Sequence, residues 1–252
     1  MPVVRRPRAL GVPSSAIRPD ATDEAFRVLR SNLLVALSDL ANPVVVVTSA
    51  HTAEGKTSTT ARLARSLASI GQRIVVVDFD LREPDLHRSF GVGNELGVTS
   101  FLLDRRPLGD CLQYIPVNGN GAADNGLYLM ATGPAVPNPT ELLTAKRTKR
   151  LLDALAQQAD VVLVDSPPVL PIADTLEIGR MAAGAILVVE ARRTDIGAAQ
   201  RAKDALIQSQ TRLLGVIINK VPAEEISYGY GSPLNAIAPS HDAGSSDGPE
   251  PF

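Results

Sequence analysis

Three short stretches carry side chains that could do chemistry on a polyphosphate. The first is Ala50-His51-Thr52-Ala53-Glu54-Gly55-Lys56-Thr57. A lysine behind a glycine and before a hydroxyl suits such a ligand. Its charge can reach the β- and γ-phosphates, and the Thr57 hydroxyl can sit on Mg2+. The second is Val75-Val76-Val77-Asp78-Phe79-Asp80, and the third is Val161-Val162-Leu163-Val164-Asp165. Each closes an apolar run with carboxylates, the oxygen ligands that Mg2+ prefers. One acid at the end of a strand is usually a solvated strand end or a helix cap. Three of them beside one Gly-Lys-Thr point to a nucleotide triphosphate and its metal, hence to ATP and Mg2+.

Those residues need elements to hold them. Residues 44–47, 74–77, 127–130, 161–164, 185–189 and 214–218 are short, almost wholly apolar runs. Helical patterns lie between most of them, over 56–70, 140–158, 172–181 and 196–209, and a helix stopped by Gly71 follows the lysine motif. A further helix over 22–37 carries an apolar stripe of Phe26, Leu29, Leu33 and Leu37. Unbroken apolar strands require a sheet covered on both faces, and strand–helix alternation makes that sheet mostly parallel. The expected fold is therefore a single α/β domain, like a P-loop NTPase, with helices on both faces of a central sheet. In such sheets ligands bind beyond the carboxyl ends of the strands, where all three motifs fall.

The lysine motif follows a buried strand and opens a helix, the context of a Walker A loop. Its expected phosphate-binding set is Ala53, Glu54, Gly55, Lys56, Thr57 and Ser58, with Asn219, at the end of the last strand, placed to read adenine. The usual first glycine is Ala50 here. Alanine tolerates positive φ poorly, so the turn must be made differently. Thr57, Asp80 and Asp165 are the metal-side candidates. Lys56, Asp78 and Asp80 are the catalytic ones, with Asp78 taking the proton of an acceptor hydroxyl. Asp78 and Asp80 could exchange roles, and Arg82 could help bind phosphate or a peptide tail.

Bulk properties narrow the partners. The 252 residues carry a formal charge of -2 and 4% aromatics without tryptophan, which points away from nucleic acid. The single cysteine, Cys111, cannot form a disulfide within the chain and fits a reducing compartment. Residues 1–19 form a Pro- and Arg-rich basic arm, 20–221 the catalytic domain, and 222–252 a Gly-, Ser- and Pro-rich tail expected to be disordered. The longest apolar run, residues 181–189, is far shorter than the ~20 residues of a transmembrane helix.

Taken together, these motifs resemble one family. Ile74-Val75-Val76-Val77-Asp78-Phe79-Asp80-Leu81-Arg82-Glu83-Pro84, with His87 after it, is similar to the second Walker-type motif of bacterial tyrosine kinases, the CpsD/CapB-type capsule and exopolysaccharide autokinases. Thr48 to Thr57 resembles their Walker A, with Thr52-Ala53 in place of the usual Pro-Gly. Val164-Asp165-Ser166-Pro167-Pro168-Val169 resembles their Walker B. Asn138-Pro139-Thr140-Glu141-Leu142-Leu143 and Glu24-Ala25-Phe26-Arg27-Val28-Leu29-Arg30-Ser31-Asn32 match two further blocks. The resemblance implies an ATP-dependent protein-tyrosine autokinase. It also implies a homo-oligomeric ring with Glu24, Arg27 and Arg30 at the subunit interface, and Tyr228 and Tyr230 as phosphoacceptors in a neighbour's tail. The implied partners are a transmembrane activator of the polysaccharide co-polymerase type and a phosphotyrosine phosphatase. The implied location is cytoplasmic, at the inner face of the membrane through that activator. The rival readings are an ATP-sensing scaffold without catalysis and a Min- or Par-type ATPase. The latter would carry a signature lysine where this chain has His51.

Overall fold

The computed structural model describes residues 21–117 and 126–222. The basic arm, the 118–125 loop and the tail beyond Pro222, with Tyr228 and Tyr230, lie outside the described residues. The compact unit that contains the sheet ends at Lys220.

The β-branched runs form the middle of the sheet. β1 (Val44–Ser49), β2 (Ile74–Asp78) and β5 (Val161–Asp165) are buried at every position. They are joined by β3 (Gln113–Pro116), β4 (Gly126–Met130), β6 (Gly184–Glu190) and β7 (Leu213–Asn219) in the order β3-β4-β2-β5-β1-β6-β7. All neighbours are parallel except β3 with β4.

Side chains alternate between two cores. Along β1, Val44 and Val46 enter one core and Val45 the other. The first core takes Leu151, Leu152 and Leu155 from α6 (Ala145–Ala156), and Ala202 and Leu206 from α8 (Ile196–Gln208). The second takes Leu33 and Leu37 from α1 (Ala21–Leu37), and Leu63 and Leu67 from α2 (Lys56–Ala68). Each valine or leucine so buried contributes about 1.5–3 kcal/mol. The predicted stripe of α1 is the face that packs, with Phe26 and Leu29 half-buried against that core.

Several elements differ from the sequence pattern. The expected helix over 140–158 is two helices, α5 (Pro139–Leu142) and α6, because Thr144 is extended at φ -65°, ψ 144° and starts the second one afresh. The expected helix over 172–181 is trimmed to α7 (Asp174–Gly179). β3 was not visible as an apolar run, since an antiparallel edge strand buries only alternate residues. Here Ile115 is buried and Pro116 exposed. α3 (Leu86–Phe90) and α4 (Val98–Leu102) are single turns, too short to show a helical period.

Candidate active site

The strand register brings the motifs together. Val47 of β1 and Asp78 of β2 are both Cα partners of Asp165 on β5, the strand between them. The loop after β1 therefore emerges beside both acidic strand ends, and α2 starts there at Lys56.

That loop turns at two places of positive φ, Ala53 (φ 64°) and Gly55 (φ 94°), and Ala50 is not one of them. Ala50 is instead fully buried against the sheet. The missing first glycine thus costs the turn nothing, and the strain sits at Ala53, of order 1–3 kcal/mol. Lys220 Nζ donates to Ala53 O at 2.8 Å, and Asn219 Nδ2 donates to Glu54 O at 3.0 Å. A Cβ on Gly55 would lie 2.1 Å from Asn219 Nδ2, so only glycine fits. The Glu54 side chain points inward. Its carboxylate accepts from His51 N–H at 3.0 Å and from the Thr194 hydroxyl at 2.5 Å. That leaves its backbone N–H, not its charge, as the group a phosphate could use. Asn219 likewise spends its amide N–H on the loop carbonyl.

Lys56 stands among carboxylates. Its Nζ lies 2.9 Å from Asp80 Oδ2 and 3.3 Å from Thr57 Oγ1. Burial would lower its pKa, but the nearby charges of Asp165, Asp80 and Asp78 outweigh that and raise it. Asp165 is fully buried, and neither of its oxygens has a hydrogen-bond partner among the described residues. Burial pushes its pKa up to about 6. Lys56 pulls the other way, as does the Thr57 hydroxyl, which lies close by but outside hydrogen-bond geometry. A buried carboxylate left unsatisfied beside a lysine has donor chemistry that suits a cation.

Asp78 and Asp80 are both buried but differ in surroundings. Asp78 is fully buried, and its oxygens accept the N–H groups of Asp80 (3.0 Å) and Leu86 (3.1 Å), pinning the loop between β2 and α3. Burial and the Asp165 charge raise its pKa well above its ordinary value. Each carboxylate oxygen keeps a second lone pair, so Asp78 retains acceptor capacity beside these two bonds. Asp80 does face the cleft, and its second oxygen accepts from Glu83 N–H at 3.1 Å. The cleft holds about 960 Å3. Thr52, Lys56 and Thr57 line it together with Arg82, His87 and Asn94. Ser58 and Lys220 also line it, whereas Asn219 does not. Arg82, expected near phosphate, donates to Thr140 Oγ1 at 2.8 Å and pairs with Asp174 at 3.7 Å. It therefore ties the loop to α5 and α7.

The α1 residues separate too. Glu24 and Arg27 are exposed and pair with each other at 3.2 Å. Arg30 turns back into the protomer and donates to Ser66 O at 2.8 Å, joining α1 to α2. The sequence pattern did not single out Thr194, Glu190 or Lys220. The only available signal was that Lys220 directly follows Asn219 at the end of a strand.

The geometry can be set beside known proteins. Residues 45–228 match the CobQ/CobB/MinD/ParA nucleotide binding domain. The tyrosine-protein kinase YwqD of Bacillus subtilis is 35% identical over 208 residues, 82% of this chain and 85% of YwqD. The putative tyrosine-protein kinase EpsB of Ralstonia solanacearum is 34% identical over 84% of this chain, which spans 28% of EpsB. Among solved structures, the kinase domain of the Escherichia coli tyrosine kinase ETK superposes with a TM-score of 0.74. It is 28% identical, covering 86% of this chain and 80% of that one. On sequence and on fold alike, the chain belongs to the bacterial tyrosine kinases.

Proposed function

We propose that this chain transfers the γ-phosphate of ATP to tyrosine hydroxyls, its own tail tyrosines Tyr228 and Tyr230 among them, and so regulates capsule or exopolysaccharide polymerisation and export. The observation that carries this reading is Asp165, a buried carboxylate with no hydrogen-bond partner among the described residues, beside a lysine and hydroxyl that open a helix. Membership of the family supplies the acceptor.

The roles follow from placement. Backbone amides of Ala53 to Ser58 hold the phosphates at the positive end of α2. Lys56 leaves Asp80 for the β- and γ-phosphates, and its departure frees a carboxylate for metal. Thr57, Asp80 and Asp165 would hold Mg2+. Among the described residues no three His, Cys, Asp or Glu side chains cluster as a metal cage, so phosphate and water oxygens would complete the shell. When bound, the metal supplies charge neutralisation on the transferring phosphoryl group. The acceptor proton goes to the Asp78–Asp80 pair. Asp80 faces the cleft, and Asp78 positions it through the hydrogen bond from Asp80 N–H. Asn219 bounds the nucleotide side through its hold on the loop.

Ring assembly through the exposed Glu24 and Arg27 of α1, trans-phosphorylation between neighbours and reversal by a phosphotyrosine phosphatase complete the proposal. No helix among the described residues is long and apolar enough to cross a membrane. Attachment to the inner membrane face through a polysaccharide co-polymerase partner is the arrangement we favour. The test is phosphotyrosine detection by mass spectrometry after incubation with ATP and Mg2+, with and without the activator's cytoplasmic segment. Phosphate on Tyr228 or Tyr230 is expected. Tight ATP binding without phosphotyrosine under either condition would replace the kinase with an ATP-sensing scaffold.

A further inference from the structure

We propose that Lys220 and Glu190 form a latch that holds the phosphate loop in its binding shape, making Lys220 a positioning residue for the nucleotide rather than a ligand of it. The proposal rests on the nucleotide site described above and adds a control element that lies outside the lysine motif.

Lys220 Nζ bridges two acceptors, Ala53 O at 2.8 Å and Glu190 Oε2 at 2.8 Å. Both Lys220 (φ 56°) and Ala53 (φ 64°) are non-glycine residues in the left-handed region, so strain lies at both ends of one hydrogen bond. Such backbone persists only where its surroundings hold it. Ala191 N–H donates to Asn219 O at 2.9 Å, fixing the end of β7 to the end of β6. Glu190 N–H donates to Thr194 Oγ1 at 2.8 Å, and that hydroxyl donates to the Glu54 carboxylate at 2.5 Å. Glu190 therefore grips the loop twice, through Lys220 and through Thr194. Arg193 adds a third charge at 3.3 Å from Glu190 Oε2.

The consequence for phosphate follows from peptide geometry. In a planar trans peptide the C=O of one residue and the N–H of the next point to opposite sides, and no peptide here is cis. Lys220 fixes the Ala53 carbonyl, so the Glu54 N–H is turned away from it. Asn219 fixes the Glu54 carbonyl, so the Gly55 N–H is turned likewise. Two consecutive amides set on one side make an anion-binding concavity. The hydrogen bond from Lys220 holds the Glu190 carboxyl below its ordinary pKa.

The experiment compares Lys220→Met, Lys220→Arg, Glu190→Gln and the Met/Gln double variant in the full chain. It measures affinity for a fluorescent ADP with Mg2+, and kcat and KM for ATP. Lys220→Met is expected to weaken ADP about tenfold and to raise KM more than it lowers kcat. Lys220→Arg restores most of that loss. Glu190→Gln weakens ADP in the same direction, and the double variant is no worse than Lys220→Met alone. If Glu190→Gln tightens ADP instead, Lys220 is a direct phosphate ligand that Glu190 restrains, and the latch is overturned. A lower Tm with unchanged ADP affinity in Lys220→Met also overturns it. Absence of ADP binding by the wild type overturns the nucleotide site itself. Normal ADP binding without phosphotyrosine removes only the kinase reading.

Discussion

Lys56 Nζ and Asp80 Oδ2 lie 2.9 Å apart, with side-chain exposures of 11% and 5%. The lysine proposed for phosphate and a carboxylate proposed for metal thus neutralise each other. A loaded site must break that pair. It offers the lysine a phosphate and the carboxylate a cation in exchange, so ATP and Mg2+ are expected to bind together far better than either alone.

Lys56→Met should abolish phosphotyrosine formation with the fold retained, yet not silently. Removing one partner of a buried pair leaves a carboxylate uncompensated, at roughly 3–5 kcal/mol. The variant should melt below the wild type at pH 7.5 without Mg2+, and the gap should narrow at pH 5.5 as the acids take up protons. Calorimetry at the two pH values checks this. Equal melting temperatures at pH 7.5 would mean that the pair carries no stability.

Asp165→Asn should separate stability from activity. The folded pKa of Asp165, about 6, lies above the ordinary ~3.9. The folded state therefore binds more proton between those values. Its stability from this group is full below about pH 4, falls as pH rises towards 6, and stays lowered above it. The asparagine variant should be more stable than the wild type at pH 7.5 in metal-free buffer, by about 2–4 °C in Tm per kcal/mol relieved, and should show no phosphotransfer. Thermal melts from pH 4 to 8 would reveal the flatter profile. A variant less stable than the wild type across that range would refute the buried-charge account.

Ala50→Gly should leave ADP affinity unchanged, because position 50 is not at positive φ. Gly55→Ala should lose most of it, because the new Cβ meets Asn219 Nδ2 at 2.1 Å at a φ of 94°. Calorimetric titration of both variants tests where the loop turns.

Arg27→Ala and Arg30→Ala should differ in kind. Arg27 is exposed and paired only along its own helix. Its loss should alter oligomer size by light scattering and shift stability by under about 0.5 kcal/mol. Arg30 ties α1 to the last turn of α2, so its loss should lower the melting temperature of the protomer as well. Equal melting temperatures for the two variants would place both arginines outside the protomer's stability.

Much of this architecture was legible in the chain. The central strands are unmistakable because burial on both faces leaves no room for polar residues, and a Gly-Lys-Thr after such a strand can hardly be anything but a phosphate loop. What the sequence hid has a common cause. Thr194, Glu190 and Lys220 act through backbone carbonyls and through each other, across distances in sequence that no local pattern spans. Asp78 and Asp80 look equivalent as letters. Only the N–H groups of Asp80 and Leu86 distinguish the one that anchors a loop from the one that faces the cleft. Arg30 looked like a surface charge until Ser66 came into view.

The bonds from Asn219 and Lys220 to the phosphate loop span 165 and 167 residues. During synthesis the lysine motif leaves the ribosome before β7, and its ties do not exist until that strand has emerged and docked. Contacts so far apart in sequence form late and slowly. The emerging polypeptide should therefore be unable to capture nucleotide until β7 has docked, so that binding waits on completion of the sheet.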